Sequence, residues 1–184
     1  FNRGDMAQEL ELLVDARPEA SFSEAVVADF DGDGDLDIFA AHTGNHSPEN
    51  TNGVLFTNDG NRQLSSTIVA ANIGFWGSPF DMLPIDWDKD GDTDIYICND
   101  FGALYGGNNL LLNDGSGNFY PAANLNYADI VAGCMGISMG DLNNDGFLDL
   151  YLGAIEEHFL LYGDESGFIN STHSMLPYNF LPAQ

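Results

Sequence analysis

Basic residues are almost missing from this chain. Only 4 Lys and Arg stand against 29 Asp and Glu in 184 residues, for a formal charge of −25 at pH 7. Nucleic acids and anionic lipid surfaces are recognised through basic patches, so this balance excludes both classes of partner. Cysteine is nearly missing as well. Two residues, Cys98 and Cys134, do not make a disulfide framework, and the reading is a pair of buried thiols on strands rather than a bridge. No apolar run approaches the length of a membrane span, so direct membrane insertion is not expected. The chain opens on Phe1 rather than Met, and no export signal is visible.

Catalytic signatures are missing too. There is no GxSxG elbow, P-loop, dinucleotide fingerprint or HExxH helix. His42 and His46 lie four apart, but in a connector rich in Asn, Gly and Pro, where solvated loop histidines are expected rather than a metal site. The expectation is a protein that is not an enzyme.

What the chain has in excess is aspartate at alternate positions. Asp29-Phe30-Asp31-Gly32-Asp33-Gly34-Asp35-Leu36-Asp37 recurs as Asp86–Asp94 and as Asp141–Asp149, at intervals of 57 and 55 residues. Each copy has glycine at its sixth position and runs into an apolar stretch: Ile38–Ala41, Ile95–Cys98, Leu150–Gly153. Thirteen of the acids fall inside these three loops. Carboxylates this dense repel one another unless a cation neutralises them, and calcium accepts six to eight oxygens in flexible geometry.

Positions 1, 3, 5 and 9 offer side-chain oxygens: Asp29, Asp31, Asp33 and Asp37; Asp86, Asp88, Asp90 and Asp94; Asp141, Asn143, Asp145 and Asp149. Position 7 (Asp35, Asp92, Phe147) needs only its backbone carbonyl, which is why Phe is tolerated there. The expectation is about three calcium ions, one per repeat. An EF-hand would require Glu at position 12, where this chain has Ala40, Ile97 and Leu152. Asn143 leaves the third loop with one ligand carboxylate fewer, so it should bind most weakly.

The flanks read as short strands. A unit begins with a strand (24–28, 79–85, 135–140), passes the acidic loop, and continues in a second strand. A connector and a third strand follow, then a turn and a fourth strand. The turns, Asn58-Asp59-Gly60-Asn61, Asn113–Gly117 and Gly163–Gly167, suit hairpins because Asn, Asp and Gly tolerate positive φ. This predicts an all-β chain of three four-stranded β-propeller blades. The blades cover 21–70, 71–126 and 127–172, with 1–20 as an outer strand of a preceding blade and 173–184 as the approach to another. Three blades are too few to close a ring, so the units read as part of a larger propeller.

These loops resemble the FG-GAP/VCBS repeats of integrin α-subunit propellers and of many secreted bacterial proteins. The run Gly133–Gly146 and the segments Leu110–Phe119 and Val54–Gly60 are similar to the ASPIC/UnbV (cartilage acidic protein-like) branch. The resemblance implies a propeller of about seven blades, with calcium in the hairpin between the first two strands of each. It also implies an extracellular, cell-surface or periplasmic setting and a role in adhesion and binding.

If the acidic loops and the Asn-Asp-Gly turns share one end of the blades, the longer connectors emerge at the other. There Trp76, Phe101 and Tyr105 form a candidate ligand face for a protein or glycan. The competing expectation is a structural subunit or segment of a larger extracellular assembly.

Overall fold

The computed structural model describes residues 22–42, 53–61, 63–69, 78–100, 102, 107–123, 128–155 and 157–172. The architecture is all-β. Twelve strands form three four-stranded antiparallel sheets, each built from consecutive strands in chain order. The first sheet holds β1 (Phe22–Ala28), β2 (Asp37–His42), β3 (Gly53–Asn58) and β4 (Leu64–Val69). The second holds β5 (Ser78–Ile85), β6 (Asp94–Asp100), β7 (Asn109–Asn113) and β8 (Phe119–Pro121). The third holds β9 (Cys134–Gly140), β10 (Asp149–Ala154), β11 (His158–Asp164) and β12 (Gly167–Asn170). These are the blades predicted from the repeat, with strand ends shifted by a residue or two. The segment 1–20, the tail 173–184 and the candidate face residues Trp76, Phe101 and Tyr105 lie outside the described residues.

The sheets stack through their faces, and β6 shows how the sequence arranges this. Successive side chains of a strand point to opposite faces. Ile95 and Ile97 enter a core with Val26, Phe39, Ala41 and Leu55 of the first sheet. Tyr96 and Cys98 enter a second core with Leu150, Leu152 and Leu161 of the third. A strand buried on both sides reads as an unbroken apolar run, and Ile95-Tyr96-Ile97-Cys98 is one. All four are fully buried. The leading strands lie side by side, β1 next to β5 and β5 next to β9. The junction between the second and third sheets is tied by the amide of Ile137, which donates to Asp81 Oδ2 at 2.8 Å.

The cysteines reverse the sequence expectation. Cys98 on β6 and Cys134 on β9 form a disulfide, with their Cα atoms 5.5 Å apart. The physical reason lies in the stacking. Both residues point into the core between the second and third sheets, which brings together positions 36 residues apart in sequence. That Cα separation falls within the ordinary range for a bridge.

Tyr96 anchors the second sheet to its connectors. Its hydroxyl donates to the carbonyl of Ala128 at 2.6 Å and accepts from Asn108 Nδ2 at 2.9 Å. Asn108 Oδ1 accepts in turn from the amide of Asn99 at 3.0 Å. Burial holds the phenol neutral far above the ordinary tyrosine range. Tyr96→Phe keeps the ring and strands both partners, which is expected to cost about 1–3 kcal/mol in denaturant unfolding. An unchanged midpoint would show that water or a rearranged Asn108 replaces the hydroxyl.

Candidate metal centre

Each acidic loop joins the first two strands of its sheet, and one recurring element holds it closed. The ninth-position aspartate opens the second strand and is fully buried: Asp37, Asp94 and Asp149 are each 0 % exposed. Its two oxygens accept from two separate segments. Asp37 takes the amides of Phe30 (2.9 Å) and Asn58 (2.8 Å). Asp94 takes Trp87 and Asn113, both at 2.8 Å. Asp149 takes Leu142 (2.7 Å) and Gly163 (3.0 Å). One carboxylate thus pins the start of the loop to the end of the third strand. This places the acidic loop and the β3–β4, β7–β8 or β11–β12 turn at the same end of each sheet, as expected.

The remaining acids fold the loop on itself. Asp29 accepts from Gly32 (2.9 Å) and Gly34 (3.0 Å), and Asp141 from Asp145 (3.1 Å) and Gly146 (3.0 Å). Position 3 accepts the amide of position 5 at 3.3 Å in Asp31 and Asp88, and at 3.0 Å in Asn143. Position 5 accepts the amide of position 7 at 2.9 Å in Asp33, Asp90 and Asp145. The sixth-position glycines have φ of 93°, 98° and 90°, a left-handed conformation that glycine adopts without a Cβ clash.

Two features escape a reading of motif spacing. Position 4 is also left-handed, with φ of 75° at Gly32, 64° at Lys89 and 62° at Asn144. The loop therefore needs two unusual residues, and Lys89 sits at one of them against its preference. The burial of position 9 was missed as well. Its signal was there, because each ninth aspartate is flanked by apolar residues or Thr (Leu36 and Ile38, Thr93 and Ile95, Leu148 and Leu150).

Three acids converge in each of the first two loops. In Asp29, Asp31 and Asp37, and again in Asp86, Asp88 and Asp94, one oxygen per residue lies within 4.8 Å of the others. Position 5 is not part of either trio. The position-7 side chains turn away toward the neighbouring turn. A Cβ on Gly60 would sit 2.3 Å from Asp35 Oδ2, and one on Gly115 2.5 Å from Asp92 Oδ2. Among the described residues the third loop forms no such trio of acids, since Asn143 stands at its third position and its amide donates to Asp145 Oδ2 at 2.7 Å.

The electrostatics of the trios are unfavourable as they stand. Partial burial, and then the charge of Asp37, raise the Asp31 carboxyl above the ordinary carboxylate range. Burial and Asp90 do the same for Asp88. Burial raises Asp94, although the amides of Asn113 and Trp87 oppose it. A raised folded-state value favours the fold below the ordinary carboxylate range, and that advantage is lost as pH rises through it. Ionising these groups carries a cost. Hard, closely spaced carboxylate oxygens on a turning loop match the chemistry of a calcium ion, which would remove that cost. Asp29, Asp31 and Asp37, and Asp86, Asp88 and Asp94, would hold it.

The family described as FG-GAP-like repeat matches this chain twice, over residues 29–97 and 86–152. Each match begins at an acidic loop and runs on through the next. No curated protein matches the chain.

Proposed function

This chain belongs to the FG-GAP-like repeat family, and we propose that it is a calcium-stabilised segment of a β-propeller that serves as an adhesion-type binding module for a protein or glycan. The observation that carries the metal is the convergence of Asp29, Asp31 and Asp37, and of Asp86, Asp88 and Asp94, in the loops between the first two strands of their blades. Within the family, the run Gly133–Gly146 favours the ASPIC/UnbV branch.

The proposed setting is extracellular, cell-surface or periplasmic. The Cys98–Cys134 bridge supports it, since disulfides persist in oxidising compartments. No catalytic step is assigned. Turnover of a polysaccharide or phosphoester, lost on neutralising an acid outside the three loops, would replace this reading with an enzyme. The second reading, a structural segment of a larger extracellular assembly, draws on the same covalent tie between sheets. Stable copurification with another polypeptide would favour it.

Calcium titration by calorimetry tests the metal assignment. The expected result is about three ions per chain, with the weakest step assigned to the third loop because Asn143 removes a charge. Asp88→Asn gives the second loop the residue that the third carries at the same position, so it should turn one of the tighter steps into a second weak one. A titration with no heat and no change in the near-ultraviolet spectrum would defeat the proposal.

A further inference from the structure

The two sheet junctions at the acidic-loop end are built on one plan, and one of them is left open. At the first junction, Phe30 at loop position 2 packs on Phe119, at a ring separation of 5.6 Å. The side-chain amide of Asn113 then reaches across from the second sheet and donates to the carbonyl of Phe30 at 2.8 Å. The second junction repeats the aromatic contact, with Trp87 on Phe168 at 5.0 Å. The residue that corresponds to Asn113 there is Gly163, as their shared bond to the ninth aspartate shows. With no side chain, Gly163 cannot cross the junction. Nor could a larger residue stand there, because a Cβ would collide with the carbonyl oxygen of Leu148.

A cleft of about 690 Å³ occupies this second junction. Trp87, Phe147 and Phe168 supply aromatic lining, and Asp86, Asp88, Asp164 and Glu165 supply carboxylates. Such a volume is ordinary for a ligand site. One cation already lies in it. Lys89 Nζ sits 4.3 Å from the centre of the Phe147 ring. It is the one Lys or Arg among the described residues, and it is held at a left-handed φ of 64°.

We propose that this cleft receives an arginine side chain of a partner protein, and that Lys89 occupies the place until the partner displaces it. The proposal deepens the binding-module reading and rests on it. A guanidinium is planar, stacks on aromatic faces and pairs with carboxylates in a fork. The cleft offers a ring face that already takes a cation, and lining carboxylates to pair with. A divalent ion in the second loop would not cancel that loop's five carboxylates, and Asp164 and Glu165 lie outside it.

The test uses the calcium-loaded protein and a tri-arginine peptide, with its citrulline analogue as the uncharged isostere, followed by calorimetry and Trp fluorescence. Phe147→Ala removes the ring and spares the calcium scheme, in which position 7 contributes only its carbonyl. It should weaken the peptide roughly three- to thirtyfold. Lys89→Gly should strengthen it, because the competing cation is gone and the φ suits glycine. Asp59→Asn with Glu24→Gln, remote from the cleft, should leave it unchanged.

Equal losses from the remote pair would reduce the effect to bulk charge and overturn the proposal, as would citrulline binding as well as arginine. Peptide binding that ignores Phe147→Ala would remove the cleft while leaving the binding-module reading intact. A neutral oligosaccharide that binds and is lost on Phe147→Ala, with no response to the peptide, would keep the cleft and overturn its arginine partner. No response to either probe would overturn the cleft.

Discussion

Chelation is expected to lower the melting temperature of this protein by on the order of 15–30 °C. A ligand present at a hundred times its dissociation constant stabilises the native state by about 2.7 kcal/mol per site, so three such sites contribute roughly 8 kcal/mol. For a domain of this size one kcal/mol moves the midpoint by about 2–4 °C. The mechanism is specific to the loops. Without the ion, burial and neighbouring carboxylates oppose the charged forms of Asp31, Asp88 and Asp94. The chelated protein should therefore regain part of its stability as pH is lowered toward the ordinary carboxylate range, where those groups take up protons. Thermal melts in EDTA, with and without restored calcium, make the measurement. A midpoint that does not move on chelation would remove the metal from the account.

The second large effect belongs to the bridge. Closing a loop of 36 residues between Cys98 and Cys134 restricts the unfolded chain by an amount worth about 3–4 kcal/mol in the chain-entropy account. Cys98→Ala with Cys134→Ala is expected to lower the midpoint by roughly 6–16 °C. Alanine is the suitable replacement because a serine hydroxyl would be buried in the apolar core around Leu150 and Leu152. Reductant should produce a similar loss in the unmodified protein and none in the double variant. Full reduction confirmed by mass spectrometry, with no change in the melt, would show that sheet packing alone holds the junction. Measured together, the two treatments should be close to additive, because the bridge lies between sheets while the loops lie at one end of them.

The pattern of legible and illegible features follows the range of the forces involved. Each acidic loop closes through contacts a few residues apart, so its glycines and alternating acids are fixed by local chain geometry and could be read directly. The strands followed from the same logic, with the run Ile95–Cys98 marking a strand covered on both faces. The disulfide could not be read this way. Whether Cys98 meets Cys134 depends on how β6 lies against β9, and nothing in the residues between them states that. Asp37, Asp94 and Asp149 were legible as acids but not as buried anchors, since that role depends on the amides of Asn58, Asn113 and Gly163 on other strands. Lys89 hides a left-handed position because lysine carries no signal for one. The cleft at the second junction becomes visible only when Gly163 is set beside its counterpart Asn113.

That pairing also bears on how the sheets respond to one another. The bond from Asn113 to the carbonyl of Phe30 joins the first acidic loop to the last turn of the second sheet. Disorder in the first loop would therefore release a contact on its neighbour, so the loss of an ion bound there would be felt a blade away. In a stacked array, stability is a sum of unit terms and nearest-neighbour terms, and Asn113 is a polar part of one such neighbour term. Gly163 removes that part at the next junction, where the disulfide supplies a covalent tie that does not depend on metal. The first junction thus couples loop and neighbour through a hydrogen bond as well as a ring contact, and the second through the contacts of Trp87 and Lys89 with Phe168 and Phe147 alone. A calcium titration followed by hydrogen exchange should accordingly show the β7–β8 turn responding more strongly to the first loop's occupancy than the β11–β12 turn does to the second's.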